Sequence, residues 1–153
     1  MKQIDSGAII LSSMQELLVY YVETLGRAIP MLDMIKPDDT PESIFYAKEY
    51  VAYEFNITVD ALIRDLVPRI MVMELGHEGN LVQAIKFSVI AGFIDSEATL
   101  KAMIAVKDDL MAKNIIREVI DEVISTVLAQ TPALLEATQK ALPYSKKIKP
   151  RQY

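Results

Sequence analysis

Cysteine is absent from the 153 residues, which removes disulfides, thiol nucleophiles and cysteine-based metal sites together. Histidine occurs once, as His77. With Glu74 it makes a single Glu-x-x-His, whereas a di-iron bundle needs that motif twice. Gly76 and Gly79 flank it, so a histidine in a surface turn is the better reading. The five glycines never gather into a loop between strand and helix, which excludes dinucleotide-fold and P-loop readings; no nucleophile elbow accompanies the serines. No uninterrupted apolar stretch approaches the roughly 20 residues that cross a bilayer. The run Ala8-Ile9-Ile10-Leu11 is shorter than the apolar region of a secretory signal. The expectation is a cytoplasmic protein with no membrane partner, no cofactor, no metal ligand set and no assigned catalytic residue.

The chain does have helical periodicity. Ile116, Val119, Ile120, Val123, Ile124, Val127 and Leu128 recur at steps of three and four, with Arg117, Glu118, Asp121 and Glu122 opposite. This spacing predicts an amphipathic helix despite its many β-branched residues, because strict alternation is missing. Capping signals divide the remainder. Ser13 and Glu16 have capping-box spacing and predict the start of a first helix running to Ile29, bent near Pro30. Thr40 and Pro41 predict the start of a second, whose core-facing residues include Phe45, Tyr50, Tyr53, Ile57, Leu62, Leu66 and Ile70; Pro68 should kink or divide it. Asn80 caps a helix that stops near Gly92, and Asp95 or Ser96 caps the next. The last helix is expected to reach Pro143, bent or broken at Pro132. The sum is an all-α bundle of about five to six mainly antiparallel helices. One domain covers residues 1–142, and residues 143–153 form a basic, flexible tail.

Charge separates body from tail. The net value is −5 with Lys146, Lys147, Lys149 and Arg151 included, so residues 1–142 carry −9. An acidic body repels phosphate backbones, which argues against nucleic acid as the main partner. The four basic residues are candidate tail contacts for RNA, an acidic partner or another subunit, against the plainer reading of a solvated terminus. Tyr46, Tyr50 and Tyr53 sit at helical spacing, as a stacking platform or, more commonly, as half-buried packing. The run Ile70-Met71-Val72-Met73 adds apolar surface beyond what one core should need, and suggests a homodimer.

The segment Gln83-Ala84-Ile85-Lys86-Phe87-Ser88-Val89-Ile90-Ala91-Gly92-Phe93-Ile94-Asp95 resembles the helix and Ala-Gly-aliphatic-Ile-Asp stretch of small HEPN-type proteins, especially those called nucleotidyltransferase substrate-binding proteins. In that family an Arg-polar-x-x-x-His element follows and serves RNA cleavage in the active members. The matching stretch here is Lys107-Asp108-Asp109-Leu110-Met111-Ala112-Lys113-Asn114. Lysine replaces the arginine, losing its bidentate fork, and Asn114 replaces a group able to exchange a proton near neutral pH. Lys107, Asp108 and Asn114 are therefore degenerate motif positions. The resemblance implies a scaffold that dimerises or docks a nucleotidyltransferase subunit, and the expectation is a noncatalytic interaction or adaptor protein. The alternative is a divergent HEPN ribonuclease or toxin component using the same three residues.

Overall fold

The computed structural model of the chain describes residues 6–111 and 117–148. Among these residues there are six α-helices and no strand: α1 Ser6–Ala28, α2 Pro41–Asp60, α3 Val67–Leu75, α4 Leu81–Ile90, α5 Glu97–Met111 and α6 Arg117–Lys146. A 3-10 segment, Ile29–Met34, follows α1, and a π-helical turn, Ala61–Leu66, joins α2 to α3 without a break. The architecture is an all-α helical bundle. Asn114, Lys149 and Arg151, and Ile116 of the apolar stripe, lie outside the described residues.

The caps account for where most helices start and stop. Thr40 accepts from the Ser43 amide at 3.2 Å and sets the start of α2. Asn80 and Gln83 form a reciprocal capping box with both bonds at 2.9 Å. Ser96 rather than Asp95 caps α5, accepting from the Thr99 amide. Gly76 closes α3 at φ 82°, a left-handed conformation in which a side chain would be strained. Ser13 caps nothing: α1 is already helical by Ser6, and the apolar residues from Ala8 onward belong to it.

Residues 41–75 form one rod, roughly 50 Å long at 1.5 Å per residue. Pro68 explains the π-turn inside it. Proline has no N–H for the ordinary i−4 bond, and its ring crowds the carbonyl four residues back. One extra residue in the turn, closed by the Val67 amide bonding to the Leu62 carbonyl, lets the rod continue. Pro132 does not break α6 and Pro143 does not end it: the helix runs through both to Lys146. Each proline and the residue four before it, Leu128 and Gln139, are exposed, so both prolines lie on the solvent side of the helix, where a missing bond is least costly.

Contacts along the rod set the directions. Tyr21 of α1 meets Thr58, and Met14 meets Pro68, so α1 runs antiparallel to it. Lys48 pairs with Asp121 and Glu74 with Tyr144, so α6 runs parallel to the rod. Asp95 and Thr99 lie beside Ala133 and Glu136, making α5 antiparallel to α6. The short α4 packs across one end, against α3, the π-turn and α5. The core contains Leu18, Leu25, Phe55, Leu66, Ile70, Met103, Val127 and Leu134, all buried; each such side chain contributes about 1.5–3 kcal/mol on leaving water. The buried hydroxyls of Thr58, Ser88 and Thr131 donate to carbonyls of their own helices, so they do not stand unpaired in the core.

Several expectations about faces are corrected by this packing. Ile70 and Met71 are core and Val72 and Met73 half-buried, so that run does not form an outer patch. Tyr50 and Tyr53 point outward with Tyr46, since α1, α5 and α6 occupy the remaining faces of α2. Leu128 of the striped helix is exposed too. Residues 143–146 are the last turn of α6 and not tail: Tyr144 packs edge-on against Phe87 and Phe93, and Ser145 is buried. The expected boundary after residue 142 falls inside a helix that is anchored to the bundle.

Candidate functional site

The outer face of α1 exposes several large apolar side chains. Ile9 is 54% exposed, Leu17 49% and Tyr20 57%, and Ile10 and Val19 join them. Beyond the helix, Met31 and Met34 extend the apolar surface through the 3-10 segment. The opposite side of α1 carries the core residues Leu11, Leu18 and Leu25. Ser13, Glu16 and Glu23 are exposed on α1 as well, so the outer surface is mixed, and among the described residues the buried side chains of the helix fall on the Leu11, Leu18 and Leu25 side. The neighbouring helix α2 presents its own exposed stripe, Tyr46, Tyr50 and Tyr53 at one-turn spacing.

A charged cluster lies at the π-turn. Asp60, the last residue of α2, accepts from Arg64 Nε at 3.0 Å and from Lys107 Nζ of α5 at 3.1 Å. The three side chains are 29–41% exposed, so water screens the bonds only in part. Asp65 adds a second carboxyl; partial burial, and then the charge of Asp60, push its pKa above the ordinary carboxylate value of 3.8. Arg69 follows one turn later, with Nε enclosed and no hydrogen-bond acceptor. A buried donor left in that state costs about 1–3 kcal/mol.

Lys107 of the degenerate motif is thus half-buried and committed to Asp60, while Asp108 beside it is exposed. Lys146 and Lys147 are exposed at the end of α6, where Tyr144 bonds to Glu74 of the rod, whereas Lys107 meets the rod at Asp60, four helical turns earlier at about 3.6 residues per turn. The structure therefore does not gather the described motif and tail positions into one site. Among the described residues no group of three or more His, Cys, Asp or Glu is placed to hold a metal ion, and no helix is long and apolar enough to cross a membrane. His77 is exposed in the turn after α3, and its neighbour Glu74 accepts from the Tyr144 hydroxyl at 2.7 Å. Burial and that bond raise the Tyr144 pKa to about 12.

Sequence reasoning missed Asp60 as the shared partner of Lys107 and Arg64. The signal was present: Asp60, Arg64, Asp65 and Arg69 alternate in charge beside a proline within a helix. It also missed the α1 face, although six consecutive apolar side chains, Leu17-Leu18-Val19-Tyr20-Tyr21-Val22, must place some of them on the outer side of a helix.

Compared with protein-family models, curated proteins and solved structures, the chain matches none.

Proposed function

We propose that this chain is a noncatalytic helical interaction protein of HEPN-like type, which pairs with a second copy of itself through the outer face of α1 and docks a nucleotidyltransferase subunit. One observation carries the pairing: Ile9, Ile10, Leu17 and Tyr20 stand exposed on a helix whose other side is already buried in the bundle. Large apolar side chains exposed along one helix favour an interaction surface there, and a face that packs on its own copy gives a closed two-fold assembly with no surface left to propagate. The nucleotidyltransferase partner is supported by the resemblance of residues 83–95 and is tested by co-expression and co-purification of the two proteins.

The divergent-nuclease alternative would work through Lys107, Asp108 and Asn114. Against it stand the pairing of Lys107 with Asp60 and the lack of a proton-exchanging group at position 114. Purified protein incubated with single-stranded RNA and tRNA should leave both intact. Cleavage that disappears in Lys107→Ala, with the helical content unchanged, would replace the noncatalytic reading with the nuclease one.

A further inference from the structure

Tyr46, Tyr50 and Tyr53 are exposed along one side of α2, separated by about 6 and then 4.5 Å at 1.5 Å per residue. Glu49 and Glu54 flank them. Lys48 is the one base between Pro41 and Asp60; it stands two residues from Tyr46 and from Tyr50, hence on the other side of the helix, where it pairs with Asp121 of α6. The stripe is aromatic and acidic. The chain also carries a segment of the opposite character, in which Lys147, Lys149 and Arg151 alternate with Ile148, Pro150 and Gln152 and lead to Tyr153. Pro150 disfavours a helical Lys149. In an extended segment residues two apart share a side at intervals of about 6.6 Å, close to the spacing of the tyrosines. This segment does not reach the stripe of its own copy. Tyr144 bonds to Glu74, and Tyr53 and Tyr46 lie about 30 and 40 Å back along the rod from there, whereas the five residues after Ile148 span about 17 Å at most.

We propose that residues 147–153 of a second copy lie extended along Tyr46, Tyr50 and Tyr53, each copy giving its basic segment to the other. The negative face of a tyrosine ring attracts lysine and arginine, and Glu49 and Glu54 add charge of the sign that the segment needs. Lys147, Lys149 and Arg151 then follow the three rings in register. Reciprocal exchange closes on two copies and leaves no stripe open to a third. The contact does not rest on pairing through α1, and its test reads the two apart.

Because the chain has no cysteine, a nitroxide on Gln152→Cys marks a single site. Full-length chain carrying it is mixed with isotope-labelled wild type, so that paramagnetic broadening passes only between copies. The amide signals of residues 46–53 should lose intensity. They should regain it when the labelled chain carries Tyr46→Ser, Tyr50→Ser and Tyr53→Ser together, and when the nitroxide chain carries Lys149→Glu and Arg151→Glu. The segment substitutions lie outside the core and decide the matter if the tyrosine variant fails to fold. No loss at 46–53 where light scattering reads a dimer overturns the proposal and leaves pairing through α1 standing. Loss that survives Leu17→Glu in both chains sustains it without that pairing. It is overturned by a monomeric wild type, by loss confined to other residues, or by loss indifferent to either set of substitutions. Equal loss in doubly labelled copies diluted into excess wild type would put the segment on its own copy, and signals that move with added single-stranded RNA alone would give the stripe to a nucleic acid; both overturn it.

Discussion

Lys107 Nζ lies 3.1 Å from Asp60 Oδ2, and the other oxygen of that carboxylate holds Arg64 at 3.0 Å. One carboxylate at the end of α2 thus ties α5 to the π-turn. Lys107 therefore acts within the framework of the bundle, where its charge is matched by Asp60.

The energy of this tie should be modest. In a double-mutant cycle of Lys107→Met and Asp60→Asn, followed by urea unfolding, the coupling should be about 0.2–1 kcal/mol, the range for pairs open to solvent. Asp60→Asn alone should cost more than Lys107→Met alone, since it leaves two cations facing each other. Equal costs with no coupling would show that the pair contributes nothing in solution.

Asp65 provides a pH-dependent test. Its pKa is raised by partial burial and by Asp60, so the folded chain prefers the neutral carboxyl. The ionised form at pH 7 is therefore a liability, and the contribution of a raised pKa is present below the unfolded value and lost as pH rises through the folded one. Asp65→Asn should raise the thermal midpoint at pH 7. That gain should shrink to nothing below pH 3.8, the ordinary value of the carboxyl. A gain of the same size at both pH values would assign the effect to something other than charge.

Tyr144 anchors the end of α6. Its hydroxyl bonds to Glu74, and its ring meets Phe87 and Phe93 with centroids 6.4 and 5.1 Å away. Tyr144→Phe should cost about 1 kcal/mol, the worth of one hydrogen bond, while Tyr144→Ala should cost about 3 kcal/mol or more because the aromatic cluster loses its third ring. The tyrosine should titrate near pH 12, and its stabilising contribution is lost as pH rises from the ordinary value of 10 through that folded value. Ultraviolet titration of wild type against Tyr144→Phe isolates the group; a midpoint at the ordinary value would show that the α6 terminus is not held down.

The fold class was legible because its evidence is local. The steps of three and four from Val119 to Val127 and the caps Thr40, Asn80 and Ser96 act within a few residues of where they are read. What escaped is set by neighbours distant in sequence. Tyr50 and Tyr53 resemble core residues until α1, α5 and α6 take the other faces of α2. Pro132 and Pro143 resemble helix breakers until they and the residues four before them prove to lie on the exposed side of α6. Ser13 has cap spacing but no competing turn to cap, since the apolar run before it was free to be helical. The candidate surface on α1 was hidden for a related reason: Ser13, Glu16 and Glu23 are exposed beside Ile9 and Tyr20, so the exposed apolar residues do not stand out in the sequence.

Self-association through α1 is the central claim, and light scattering coupled to size exclusion tests it most directly. At micromolar concentration the wild-type chain should give about twice the 17.2 kDa of one copy. Leu17→Glu, which puts a charge on the exposed stripe and leaves the core untouched, should give the mass of a single copy at unchanged helical content. A wild-type mass of 17.2 kDa across the whole range, or a dimer indifferent to Leu17→Glu, would contradict the assignment of this face.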